Sequence, residues 1–374
     1  MSTGSLDVLV CGGGIAGCSV VWQAARLGLD VGLIDVPRPD SSSRVAAGLV
    51  TPITGAKLAL TWRWSEFYPV ADQLYRWAES QCDSRFWDVH DAYRVFGSRE
   101  EADRFATRWL THEGMMQQQR DGVRLQPVAP GTMAPIRAPH GGLVMGPAAR
   151  LLTESYLDAT AAFLQSRGRY WPIAWDAESD LQLGAETISI PSLQLRCNSL
   201  FLCQGFDARA NRWFSELPLH PARGDILRLQ SQLLLPDKVI HADAWTVPLS
   251  SSEILLGATY DREHLNTDVS HAVAHRWRQT LLARWQEMTG ETIEETDPTS
   301  ASEACVLQHR AAVRPASYDR HPLIGRHPQH PNLLCLNGLG SKGSLMAPLL
   351  AAHLLDAALH HGTIDRQLDW QRRR

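Results

Sequence analysis

Leu6-Asp-Val-Leu-Val-Cys-Gly-Gly-Gly-Ile-Ala-Gly17 is the stretch whose reading decides the fold. Leu6 to Val10 is a short apolar run of the kind that becomes a buried parallel strand. Gly12, Gly14 and Gly17 follow in G-x-G-x-x-G register, and Ile15 to Leu27 carries an amphipathic helical pattern. The first glycine allows a tight turn, the second lets a phosphate approach the backbone, and the third lets helix and strand pack closely. The helix then aims its unpaired N–H groups and positive dipole end at a pyrophosphate. A second strand, Val31 to Ile34, ends in Asp35. That is roughly twenty residues beyond the glycines, where a carboxylate accepts ribose hydrogen bonds. The glycines alone say little. Strand, glycines, helix, strand and acid in this order predict a dinucleotide site.

Asp35 argues against NADP, because a carboxylate there repels a 2′-phosphate, but it does not separate NAD from FAD. The 374 residues predict two or three domains with substantial cores. Apolar content of 44% and charged content of 20% are those of an ordinary soluble protein. A net charge of −4 gives no overall pull toward nucleic acid or an anionic membrane. The seven cysteines are scattered without C-x-x-C spacing, which predicts reduced, buried thiols and a cytoplasmic setting. Neither a secretory signal pattern nor an apolar run of about eighteen residues is visible. Thirteen tryptophans suit core and pocket walls around a large aromatic ligand.

Further along, residues 36–55 are rich in Pro, Ser, Gly and Thr, so they are expected to be irregular and to fold over the cofactor's middle. Helical spacing returns at Trp64 to Glu79, Ala148 to Arg167 and His271 to Thr289. Residues 85–124 hold seven arginines and seven acids, a balance that argues against a phosphate-tracking face. Strand-like pieces are expected at Tyr170 to Trp175, Leu181 to Leu183, Thr187 to Ile190 and Leu193 to Cys197. Asn198 to Gly205 reads as a further strand closing in glycine, and three more runs follow at Asp225 to Leu229, Trp245 to Leu249 and Glu253 to Ala258. His321, His327 and His330 lie among prolines without nearby Cys or acid clusters, so a surface loop rather than a metal site is expected.

Asn332 to Leu336, then Asn337-Gly-Leu-Gly-Ser-Lys-Gly343, then a helix from Ser344 repeat the opening logic. Here a helix N-terminus beside Lys342 favours negative charge, such as that over the N1 and C2 edge of a reduced flavin. Upstream, Arg314 precedes Pro315 near the same place. Arginine grips a carboxylate through two parallel N–H···O bonds, which lysine does not.

These motifs resemble the D-amino-acid oxidase-like family of FAD-dependent oxidoreductases, which includes glycine oxidase and sarcosine oxidase. The likeness spans nearly the whole chain. It rests on the opening fingerprint, Ser42-Ser-Arg44-Val-Ala-Ala-Gly48, Pro221-Ala-Arg-Gly224, Gly257-Ala-Thr-Tyr260, Arg314-Pro and Gly338-Leu-Gly-Ser-Lys-Gly343. The second and last of these look most like the FAD oxidase domain of a bifunctional enzyme that matures wobble uridines in tRNA. Two departures are Asp35, where Glu is usual, and Lys342, where Arg is usual.

The resemblance implies cofactor contacts at Gly12, Gly14, Ile15, Ala16, Gly17, Asp35, Ser42, Ser43, Arg44, Ala47, Gly48, Ile173 and Gly205. It adds Gly338, Gly340, Ser341, Lys342 and Gly343 from the last loop. Arg314 would hold a substrate carboxylate, with Tyr260 and Lys342 in the reaction pocket. Noncovalent FAD is expected, since Ala-Val precedes Arg314 where covalent sarcosine oxidases place a cysteine.

The implied fold is α/β: a Rossmann-like, glutathione-reductase-like FAD domain with a parallel sheet, and an inserted α+β substrate domain built on an antiparallel sheet. The expected division assigns residues 1–84, 145–217 and 311–374 to the FAD domain and 85–144 and 218–310 to the substrate domain. The expected activity is C–N oxidation of an amino acid or N-substituted glycine, a small-molecule substrate, with no membrane partner. A flavin dehydrogenase of 2-hydroxy acids, a tRNA side-chain demodifying enzyme and a non-catalytic nucleotide-binding protein are the alternatives. Charge balance speaks against the tRNA case.

Overall fold

The computed structural model describes residues 5–184, 186–293 and 304–372. Two sheets organise them. The first is built around parallel strands Ser5–Cys11, Val31–Ile34 and Leu195–Leu202, with Tyr170–Trp171 at one edge and Leu333–Asn337 added parallel to Leu195–Leu202. Val31–Ile34 and Leu333–Asn337 are buried at every position. That is why they read as unbroken apolar runs: helices or loops cover both faces. Ile188–Ile190 and Leu323–Arg326 pair antiparallel at its margin.

Helix Ile15–Arg26 packs on this sheet beside Thr153–Gln165 and the C-terminal helix Gly343–His360. Polar ties fix their orientation. Trp22 Nε1–H donates to Thr160 Oγ1 at 2.7 Å, Gln23 Nε2–H to the Pro348 carbonyl at 2.9 Å, and the Tyr75 hydroxyl to the Ser344 carbonyl at 2.9 Å. The C-terminal helix is thereby clamped to the glycine-loop helix, 325 residues away in sequence for Gln23–Pro348.

The second sheet is mainly antiparallel and runs in the order Cys305–Arg314, Ala222–Gln230, Glu253–Gly257, Trp245–Pro248, Ile240–His241, Trp87–Val95, Gly142–Leu151, Leu49–Val50. Among the described residues its one parallel pair joins Ile240–His241 to Trp87–Val95. Helix Ala272–Thr289 packs on one face through Leu281, Leu282, Trp285 and Met288.

Three local expectations change. The helix expected from Ala148 begins only at Thr153, because Ala148, Ala149 and Leu151 pair with His90, Val89 and Trp87 in the long strand Gly142–Leu151. Ladder hydrogen bonds and burial outweigh the helical spacing there. The pieces read at Leu193 to Cys197 and Asn198 to Gly205 are one strand, Leu195–Leu202. Residues 36–55 hold a helical turn, Ser42–Val45, and two short strands, Leu49–Val50 and Ile53–Thr54.

Candidate active site

At the first cradle the glycines have the geometry that their spacing predicts. Gly12 sits at φ 102°, and a Cβ there would lie 2.5 Å from the Cys203 carbonyl oxygen. A Cβ on Gly14 would meet Ser43 Oγ at 2.8 Å, and one on Gly17 would fall 1.9 Å from the Gly12 carbonyl oxygen. Gly17 therefore serves the contact between helix and turn. Asp35 Oδ1 accepts the Gly13 N–H at 2.7 Å, and Ser43 Oγ accepts the Ile15 N–H at 3.0 Å. Burial pushes the Asp35 carboxyl upward, against the Gly13 N–H and the charges of Arg44 and Arg38. Arg44 is itself tied to Asp158 at 2.6 Å.

The second cradle follows Leu333–Asn337. Asn337 Nδ2–H donates to the Gly205 carbonyl at 2.8 Å, binding this turn to the end of strand Leu195–Leu202. Gly338 and Gly340 take positive φ, 71° and 53°, which only glycine adopts freely. Gly340 N–H donates to the Pro315 carbonyl at 3.2 Å, so the loop is fastened beside Arg314.

Both cradles open onto one cavity of about 950 Å³ between the two sheets. It reaches from Asp35 and Ile173 to Gly224, Trp245 and Arg314. That volume is near the top of the roughly 300–1,000 Å³ span of small-molecule sites. Backbone stripped of Cβ atoms at two helix N-termini, with an acid at one end, suits a dinucleotide and specifically its pyrophosphate.

Arg314 closes the other end. Its Nη1–H donates to the carbonyls of Thr259 and Arg223, at 3.1 and 3.3 Å. The guanidinium lies over Gly224, where a Cβ would be 2.1 Å from its Nη2, and 5.8 Å from the Tyr260 ring centre. No carboxylate among the described residues pairs with it, and burial pushes its pKa down. A desolvated guanidinium supported only by carbonyls is a site for an anionic ligand.

Behind Arg314 lies a network that the sequence did not reveal. Arg223 and Asp225 form an ion pair with both side chains at 0% exposure. Asp225 also accepts from Thr259 Oγ1 at 2.8 Å and bonds His309 Nε2 at 2.9 Å. Thr259 and Arg223 are the residues whose carbonyls hold Arg314, so this network fixes the clamp.

Of the residues singled out in the sequence, Gly12, Gly14, Ile15, Ala16, Asp35, Ser42, Ser43, Arg44, Ala47, Gly48, Ile173, Gly205, Gly340, Ser341, Gly343 and Arg314 line the cavity. Gly17, Gly338, Lys342 and Tyr260 do not. Tyr260 stands at the rim, 52% exposed, and Arg262 reaches its hydroxyl at 3.1 Å. Trp245, Ile226, Leu49 and Arg38 also line the cavity and were missed. Each is an ordinary strand or loop residue whose neighbours, rather than spacing, place it there.

The profile of the FAD dependent oxidoreductase (DAO) family matches residues 7–357. The tRNA 5-methylaminomethyl-2-thiouridine biosynthesis bifunctional protein MnmC of Caulobacter vibrioides is 27% identical over 350 residues, covering 92% of this chain and 53% of that protein. Its counterpart from Chromohalobacter salexigens is 24% identical, covering 92% and 52%. The chain thus spans about half the length of these relatives. Iminodiacetate oxidase from Chelativorans sp. shares the fold at TM-score 0.74 and 19% identity, covering 97% of this chain and 98% of that one. Glycine oxidase from Geobacillus kaustophilus does so at 0.73 and 16%, covering 96% of each.

Proposed function

Because the chain belongs to the DAO family of FAD-dependent oxidoreductases, we propose that it oxidises the C–N bond of an amino acid or N-substituted glycine, with FAD as cofactor. Bound FAD supplies the two-electron acceptor for the substrate's α C–H. The observation that carries the reading is Arg314, a half-buried guanidinium without an acid partner among the described residues, at the end of the cavity away from the glycine cradle.

On this reading Gly12, Gly14 and Ser43 face the pyrophosphate, and Asp35 Oδ2 remains open to a ribose hydroxyl. Arg314 accepts the substrate carboxylate and holds the adjoining carbon in one orientation. Ile226, Trp245 and Leu49 wall the cavity and exclude water from that carbon. Oxidation leaves an imine, which water hydrolyses to a 2-oxo acid and either ammonia, from an amino acid, or an amine, from an N-substituted glycine. Noncovalent attachment of FAD is part of the reading: Cys11 and Cys203, the cysteines on the cavity, are buried, and burial pushes the Cys11 thiol up to about 12 and the Cys203 thiol higher still, far from a reactive thiolate. We assign the nucleotide to residues 1–84, 145–217 and 311–374 and the substrate sheet to 85–144 and 218–310.

Anaerobic mixing of the FAD-loaded protein with a panel of amino acids, N-substituted glycines and 2-hydroxy acids tests this. Bleaching of the flavin by an amine supports it. Bleaching only by hydroxy acids replaces it with the dehydrogenase reading.

A second reading, action on an amine side chain of a tRNA uridine, has one structural feature in its favour. Tyr260 and Tyr318 are exposed at the rim beside Arg262, and His220 stacks on Tyr318 with ring centres 4.4 Å apart. Such a rim suits an unstacked base. Salt-sensitive binding of tRNA by the purified protein would support it.

A further inference from the structure

Residues 42–49 form a strap along the cavity, and every one of them lines it. The strap starts at the nucleotide end, where Ser43 holds the Ile15 N–H beside the glycine turn. It finishes at Leu49, which packs on the same apolar cluster as Trp245. Three successive carbonyls of the strap point the other way, into the wall made by the end of strand Gly142–Leu151 and the start of helix Thr153–Gln165. Thr153 Oγ1–H donates to the Ala46 carbonyl at 3.0 Å, Arg150 Nε–H to the Ala47 carbonyl at 3.2 Å, and the Leu151 N–H to the Gly48 carbonyl at 2.9 Å. Gly48, at φ 73°, lies so close to the Leu151 carbonyl that a Cβ has no room. Ala47 and Gly48 are buried, and their N–H groups donate to nothing among the described residues. Arg150 is half-buried and forms no ion pair among the described residues; the nearest acid in the ladder, Asp88, stands opposite it and is exposed.

A trans peptide holds its C=O and N–H on opposite sides of the chain, and none of the cis peptides among the described residues falls in this strap. The Ala46 carbonyl and the Ala47 N–H belong to one peptide group, and the Ala47 carbonyl and the Gly48 N–H to the next. Carbonyls turned into the wall therefore turn both N–H groups toward the cavity. Buried N–H groups seldom lack an acceptor, so an oxygen or ring nitrogen of a bound ligand is the partner that fits. A guanidinium bonded to the Ala47 carbonyl polarises that peptide group and makes the Gly48 N–H a stronger donor. The isoalloxazine ring of FAD gains electron density on reduction, and donors or positive charge beside it favour the reduced state. We propose that Arg150 is a positioning residue that raises the flavin's electron affinity through the Ala47–Gly48 peptide, without itself lining the cavity. This deepens the proposed function and rests on its placement of FAD along the cavity. The charge of Arg150, one peptide's thickness behind the lining, acts in the same direction as the polarised N–H.

The test uses the FAD-loaded full chain and needs no substrate. The flavin's midpoint potential is measured by anaerobic equilibration with a redox dye of known potential, and the affinity for oxidised FAD by dialysis and fluorescence. Arg150→Met should lower the affinity for reduced FAD relative to oxidised FAD at least about tenfold, a drop of about 30 mV for a two-electron couple. Arg150→Lys, which keeps the charge, should stay close to the wild type. Should Arg150→Met fail to retain FAD, Arg150→Gln makes the same comparison, with the same drop expected. A purely structural role would weaken oxidised and reduced FAD alike and leave the potential where it was, and that result overturns the inference. So does a fall in Arg150→Lys as large as that in Arg150→Met. Because dye equilibration involves no amine, the two readings fail separately. A lowered potential in a flavin that no amine bleaches keeps the role of Arg150 and removes the C–N reading. Bleaching by an amine with an unmoved potential does the reverse.

Discussion

Arg314 is held in place by carbonyls, and that leaves its remaining N–H donors for a ligand. Arg314→Ala should lower kcat/KM for carboxylate substrates roughly ten- to a hundredfold, the worth of about 1.5–3 kcal/mol for a charge-assisted bond. Steady-state kinetics with unchanged kcat/KM would remove the role. Asp225 tests the network behind it. Asp225→Ala leaves Arg223 buried and unpaired, so urea denaturation should show a loss of about 3–5 kcal/mol. A loss below about 1 kcal/mol would mean that water or rearrangement satisfies Arg223. Arg314 was legible in the chain because the Arg-Pro motif carries a resemblance. Arg223 and Asp225 were not: two charged residues two apart on a strand look like a solvated face. Only packing shows that both are at 0% exposure.

The glycine turn followed by Ile15–Arg26 is the element on which the nucleotide cradle depends. Gly17→Ala puts a methyl group where the Gly12 carbonyl oxygen lies 1.9 Å away, so the helix must move off the turn. FAD affinity, measured by dialysis and fluorescence, should fall at least about tenfold. An unchanged Kd would show that the turn yields without cost. Trp22 joins the same helix to Thr153–Gln165 and is 0% exposed, so Trp22→Ala should cost about 3–5 kcal/mol in urea unfolding. Elements of this kind were readable because strand, glycine and helix signals agree. The stretch from Ala148 to Leu151 was not, since its apolar spacing fits a helix and a strand alike. Its pairing with Trp87–Val95, some sixty residues earlier, decides between them.

Across the whole molecule the cavity depends on segments from both halves of the chain meeting between two sheets, and pH should act on the stability of the second sheet through His241. Its folded pKa is about 3 against an ordinary 6.5. The unfolded chain therefore takes up a proton near pH 6.5 that the folded one refuses until about pH 3. This contribution to stability is present above pH 6.5 and is lost as the pH falls between those values, at about 1.4 kcal/mol per unit of difference. Thermal unfolding of the wild type should show a steeper fall in Tm over that window than His241→Leu does, and parallel curves would refute the assignment. Sequence alone determined the nucleotide turn, the alternation of strands and helices, and the arginine before Pro315. Each is local, because a turn needs glycine and an apolar period records which faces are covered. Tertiary structure alone decided that the two cradles share one cavity, that Arg314 is supported by Thr259 and Arg223, and that Arg223 and Asp225 pair out of reach of solvent. Those facts depend on burial and on contacts between residues hundreds of positions apart, and no short window of the chain encodes them.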